Sequence, residues 1–148
     1  MKLISGPASP FGRKVRVLII EAALEDKVEV ELFPPDQIAT RSLPHNPLAK
    51  VPVLFRDDGS VLYDSSVICE YLDSLHTGTK LFPPEDETRW TALRLQALGN
   101  GIGEAVGAMG GEAARSTAAI EAQGARILRA CEDLERHPEA LAGALNIG

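Results

Sequence analysis

The run from Lys2 to Leu32 admits few folds. Lys2–Ser5 is a short, mostly apolar strand that meets a Gly6-Pro7 turn, and Ser9-Pro10 then opens a helix extending to about Ala23. Phe11, Val15, Leu18, Ile19 and Ala22 recur in it at helical spacing. Val28-Glu29-Val30-Glu31-Leu32 alternates, which predicts a strand with Val28, Val30 and Leu32 toward a core and Glu29 and Glu31 toward water. Strand, helix and strand at these lengths form a right-handed βαβ unit with parallel strands.

Ser9 suits a helix N-cap, because its hydroxyl accepts from an otherwise unpaired backbone N–H, and Pro10 is pre-set for the first helical position. A helix start also favours an anion such as a thiolate, phosphate or carboxylate. Arg13, Lys14 and Arg16 follow in the opening turns. Taken alone, a Ser-Pro pair reads as a cap and nothing more.

Phe33-Pro34-Pro35 ends the second strand, and Asp36 to Asn46 has too little periodicity to read as more than irregular or weakly helical. Asn46-Pro47 starts a turn, and Val51-Pro52 enters a third strand through Phe55. Proline donates no ladder hydrogen bond, so Pro52 stands at the strand's first residue or its edge, leaving the Val51 main chain open to a peptide-like ligand. Asp57-Asp58-Gly59-Ser60 has hairpin chemistry, Val61-Leu62-Tyr63 is the returning strand, and Asp64-Ser65-Ser66 caps a helix with Val67, Ile68, Tyr71, Leu72 and Leu75 on one face.

His76–Lys80 reads as a linker, and beyond it no strand pattern appears. A first helix carries Trp90, Leu93, Leu95 and Leu98 and then meets glycines at 99, 101, 103, 107, 110 and 111. Gly99, Gly103, Gly107 and Gly111 are spaced by four, which makes either a small-residue stripe on a continuous helix or, at about 1 kcal/mol per glycine, a break. The expectation is fraying or a break after about Gly107. Ser116 or Thr117 starts a further helix, with Ile120, Ile127, Leu128, Cys131 and Leu134 as its apolar side, ended by His137-Pro138.

A net charge of −6 argues against a general nucleic-acid or anionic-membrane surface, without excluding a local basic pocket. Cys69 and Cys131 have neither CxxC nor Cys/His ligand spacing, so the expectation is two buried, reduced thiols and no metal. No signal-peptide core and no membrane-length apolar run is present, and the chain is expected in the cytoplasm.

Ser9-Pro10-Phe11 opening the first helix, Lys50-Val51-Pro52 before the third strand, Asp64-Ser65 capping the next helix and an all-helical second half together resemble the glutathione transferase family, of the bacterial type with an N-terminal Ser-Pro-Phe motif. The resemblance implies a thioredoxin-like N-terminal domain (β-α-β, α, β-β-α) over residues 1–78, which binds glutathione, and an incomplete all-helical domain over residues 79–148. It also implies that Pro52 is cis. Family members continue past the place of Gly148 into a central helix, so a shortened second half is expected, with apolar faces around Ile127, Leu128 and Leu134 exposed.

Carried over residue by residue, the resemblance implies that Ser9 is catalytic, its hydroxyl donating to glutathione's sulfur, with Phe11 lining the site. Val51, beside Pro52, pairs its main chain with the cysteinyl unit, and Asp64 and Ser65 hold the γ-glutamyl end. Lys50 answers the glycyl carboxylate, with His45 and Arg13 as further candidates. A thiol near pKa 8.5 is mostly protonated at neutral pH, so a hydrogen-bond donor at a helix start favours the thiolate that attacks an electrophile. With Ser9 and Gly12 where a redox motif would hold cysteines, disulfide exchange is excluded.

The implied function is conjugation of glutathione, as co-substrate, to an electrophilic small molecule in detoxification by a homodimer, without metal, nucleic acid or membrane. Two alternatives stand beside it: a non-catalytic binding or dimerisation module of the same fold that has lost turnover with its C-terminal helices, and a truncated product needing a partner.

Overall fold

The computed structural model describes residues 1–84, 87–110 and 116–148. They form two compact units, Met1–Lys80 and Leu81–Gly148. In the first, the order is β1 (Lys2–Ser5), α1 (Pro10–Glu21), β2 (Glu29–Leu32), α2 (Pro35–Ser42), β3 (Val53–Phe55), β4 (Val61–Tyr63) and α3 (Ser65–Ser74). The second holds α4 (Glu87–Gly110), α5 (Thr117–Arg136) and a short 3-10 turn at Pro138–Leu141.

The strands make one sheet of order β2-β1-β3-β4. β1 runs parallel to β2, as the βαβ reading expects, and antiparallel to β3, which pairs antiparallel with β4. Gly59, at φ 82°, takes the left-handed conformation at the β3–β4 turn that only glycine adopts at no steric cost. α1 packs with α3, and α3 also packs on β3 and β4. The core of this unit is Leu3, Val15, Leu18, Val53, Leu54, Ile68 and Leu72, each at most 1% exposed. This is a thioredoxin-like domain, followed by a helical one.

The helix α2 is the one the resemblance implies between the second and third strands, and it sharpens the irregular or weakly helical reading of residues 36–46. Pro35 at its first position, Asp36 in its first turn and Arg41 in its last complement the helix dipole, and Ile38 packs against the Gly6 backbone. These end effects leave no trace in hydrophobic periodicity.

β2 corrects the second expectation. Val28 is buried, but Val30 and Leu32 are 38% and 43% exposed. Strand order is the reason: β2 lies at the sheet edge, while α3 covers β3 and β4. On the opposite face Glu31 is half-buried and paired with Lys2 rather than turned simply to water.

In the second unit α4 runs through Gly99, Gly101, Gly103 and Gly107 and its described residues end at Gly110, within a turn of the place where fraying or a break is expected. α4 packs along α5, and buried Ala92, Leu95, Gly103 and Ala105 fix it by tertiary contact, which overrides a propensity cost of about 1 kcal/mol per glycine. A Cβ at Gly99, Gly101 or Gly107 would meet nothing, so those three serve no close approach here. Gly111 lies outside the described residues. Ser116 caps α5 through a bond from Ala119 N, and His137 ends it. Leu128 is 64% exposed, while Ile127 and Leu134 are half-buried.

The paired expectation for the cysteines is half corrected. Cys69 is buried and burial pushes its thiol up to about 12, whereas Cys131 is exposed on the outer side of α5. At about pH 8, where an ordinary thiol is partly ionised, an aromatic disulfide reagent should therefore titrate Cys131 quickly and Cys69 only on unfolding. Fast reaction surviving Cys131→Ser contradicts this placement.

Gly12 offers a second test. An added Cβ would stand 1.8 Å from Ser5 Oγ, inside a core where Ser5 is fully buried. Gly12→Ala gains about 1 kcal/mol of helix propensity, but overpacking costs about 1–3 kcal/mol. Chemical denaturation should show a net loss, and a variant as stable as the unsubstituted chain would mean that Ser5 yields freely.

Candidate functional site

Cross-strand register determines what gathers at one end of the sheet. Ile4 stands opposite Val53, and Val53 opposite Tyr63, so these three residues form one row. One step beyond that row β1 leaves through Ser5 toward Ser9, β3 begins after Val51-Pro52, and β4 passes into Asp64 and Ser65. The segments singled out for Ser9, Val51, Pro52, Asp64 and Ser65 thus leave or enter the sheet at the same end.

Ser9 caps α1. It is half-buried with extended backbone, and its Oγ accepts from Gly12 N at 3.1 Å. The first turn of α1 holds no acidic residue. Arg16 steadies the preceding turn, donating from Nη2 to the Pro7 carbonyl at 3.4 Å. Phe11 is half-buried and Arg13 exposed.

The Val51–Pro52 peptide is cis, as the resemblance implies. Pro52 is buried, Val51 half-buried and Lys50 exposed. Asn46, 3% exposed, shapes the approach: its Nδ2 donates to the Lys50 carbonyl at 2.9 Å and its Oδ1 accepts from Leu48 N at 3.0 Å. Sequence reasoning missed this role, although Asn before proline is itself a turn signal.

Asp64 caps α3. Its Oδ1 accepts from Ser66 N at 2.7 Å, and its backbone lies at φ 66°. For a residue other than glycine that conformation costs about 1–3 kcal/mol and persists where its surroundings fix it, often at ligand clamps. Ser65 follows, 2% exposed, with no hydrogen-bond partner for its Oγ among the described residues. Lys14 was also missed as a site residue. It is half-buried on α1, and its Nζ donates to Ser66 Oγ at 3.4 Å. Its signal was positional: Leu18, one turn on, is core.

His45 stands apart from this group. Its ring meets Phe55 edge-on at 4.6 Å, on the sheet face that carries Lys2 and Ile4, whereas Gly12 of α1 closes on Ser5, which points to the other face. There it helps line a cavity of about 250 Å³ with Glu31, Phe33 and Arg41. Arg41 already stacks over Phe33, 4.9 Å from its centroid. A larger groove of about 420 Å³ lies in the second unit between α4 and α5, with Arg126, Arg129 and Arg136 along it. Among the described residues no cluster of three or more His, Cys, Asp or Glu is placed to hold a metal ion, and no helix is long and apolar enough to cross a membrane.

Residues 8–75 match the family described as glutathione S-transferase, N-terminal domain. An uncharacterized GST-like protein of Escherichia coli K12, YibF, is 30% identical over 145 residues, covering 98% of this chain and 70% of its own length. Among solved structures, a glutathione transferase family member from Pseudomonas fluorescens Pf-5 with bound glutathione superposes with a TM-score of 0.89 at 35% identity, covering 99% of this chain and 76% of that one. A glutathione S-transferase from Methylobacillus flagellatus KT with GSH bound gives a TM-score of 0.84 at 31% identity, covering 99% and 76%. By the family match and the Escherichia coli relative, the chain belongs to the glutathione transferase family.

Proposed function

We propose that this chain binds glutathione at the shared end of its sheet and activates the thiol for attack on an electrophilic small molecule. The observation that carries the reading is the convergence of two capped helix starts, α1 at Ser9 and α3 at Asp64, with the open main chain of Val51 between them. A thiol tripeptide presents the complementary groups in the same order: a sulfur, a peptide unit and a zwitterionic γ-glutamyl end. Relatives solved with glutathione bound support the ligand class.

The roles follow from donor and acceptor chemistry. Ser9 Oγ accepts from Gly12 N–H, so its own proton is available to donate to the sulfur, and the α1 N-terminus stabilises the thiolate. The sulfur lone pair then forms a C–S bond to the electrophile as a leaving group departs with its electron pair and the thiol proton passes to solvent, or, for an epoxide or enone, as a ring C–O bond or the C=C π bond opens and the resulting oxyanion or enolate takes a proton. Val51 N–H and C=O pair with the cysteinyl peptide unit. Asp64 faces the γ-glutamyl ammonium, while Ser65 Oγ and the α3 N-terminus receive the α-carboxylate. Lys50 answers the glycyl carboxylate, with Phe11 and Arg13 at the margin, while His45, against Phe55 on the other sheet face, takes no part. The family reading extends to a cytoplasmic homodimer acting in detoxification.

Ser9→Ala separates binding from activation. A hydrogen bond to a charged group contributes about 1.5–3 kcal/mol, so the thiolate absorbance of bound glutathione and conjugation across a panel of aryl halides, epoxides and enones should fall roughly ten- to a hundredfold. Glutathione affinity should change by no more than about threefold, since the sulfur is one contact among several. Unchanged turnover removes Ser9 from the mechanism, and binding with no turnover in the unsubstituted chain favours a non-catalytic module.

A further inference from the structure

The start of α3 gathers an ammonium and an open hydroxyl beside its Asp64 cap. Ser65, its first residue, presents a buried hydroxyl with no partner among the described residues. From the neighbouring helix Lys14 extends its Nζ to Ser66 Oγ, and Ser66 N–H in turn binds the Asp64 carboxylate. Burial lowers the Lys14 pKa, while the nearby Cys69 and Asp64 oppose that shift. The Cys69 thiol, held at about 12, is neutral near pH 7, so of these two groups Asp64 carries the charge.

The Asp64 carboxylate at the start of α3 repels a second carboxylate, and the Lys14 ammonium offsets that repulsion. Ammonium, helix dipole and the open Ser65 hydroxyl all favour the same occupant, a carboxylate. Lys14 also sits on the helix that Ser9 opens, which ties the sulfur end of the site to its γ-glutamyl end through one rigid element.

We propose that Lys14 is a positioning residue that, through Ser66 and Asp64, sets how tightly the start of α3 holds the α-carboxylate of a γ-glutamyl group. The inference rests on the glutathione reading above and adds a specificity determinant to it. Removing the Lys14 charge should weaken ligands that carry this carboxylate and leave those without it nearly untouched.

The test is calorimetric titration of the full chain with glutathione and with 4-aminobutanoyl-cysteinyl-glycine, which keeps the amine and thiol but lacks the α-carboxylate. Lys14→Met and Lys14→Gln should each weaken glutathione about tenfold, or about 1.4 kcal/mol, while the analogue changes less than about twofold. Lys14→Arg, which keeps the charge, should retain glutathione affinity within about threefold. Undiminished glutathione binding in the neutral variants, or equal loss for both ligands, overturns the assignment. If Lys14→Met fails to fold, Lys14→Gln decides, because it keeps a hydrogen-bond donor without the charge. No glutathione binding by the unsubstituted chain overturns the underlying reading and this inference together, whereas binding there that survives both neutral variants overturns the inference alone.

Discussion

β3 is three residues long, yet the geometry of the site hangs on its pairing. Val53 and Leu54 are fully buried, and β3 is bonded to β1 on one side and β4 on the other. Side chains alternate with a period of two, so a one-residue slip would exchange Leu54 for its neighbours across the sheet and shift Val51 against both helix starts. The row Ile4–Val53–Tyr63 therefore does two things at once. It fixes the register of the three strands, and it brings the start of α1, the Val51 main chain and the start of α3 to one end.

The two helix starts differ in a way that suits two ends of one ligand. Ser9 caps α1 with a neutral group, and no acidic residue follows in the first turn, so the positive end of that helix stays open to an anion, which in the proposed reading is the sulfur. Asp64 caps α3 with a carboxylate, whose negative charge suits an ammonium, while Ser65 and Lys14 add donors beside it. A site built from two neutral caps would distinguish the ends of a zwitterionic peptide poorly.

Local signals were readable where the physics is local. Ser9 with Pro10, and Asp64 with Ser65, are capping patterns fixed within one helical turn, and the structure places both caps where the pattern puts them. What the alternation of Val28 to Leu32 could not convey was strand order: the same five residues suit a central strand or an edge, and the edge leaves Val30 and Leu32 exposed. The glycines of α4 posed the converse problem, since intrinsic propensity weighs against a helix through Gly99, Gly101 and Gly103, and packing along α5 carries it through them. Asn46 and Lys14 were named only for a turn and a helix start, because their partners, the Lys50 carbonyl and Ser66 Oγ, are matters of backbone path and helix packing rather than of spacing. Cys131 was misjudged for a related reason, as helical periodicity marks a stripe but not the packing that would cover it.

The central claim is that one tripeptide touches three separate segments of this chain at once. Backbone amide shifts followed by NMR during a glutathione titration test it most directly. The account predicts saturable changes concentrated at Ser9–Gly12, around Val51 and at Asp64–Ser66, rising together with a single dissociation constant. Saturation without changes at these segments, or changes confined to Leu81–Gly148, would contradict it.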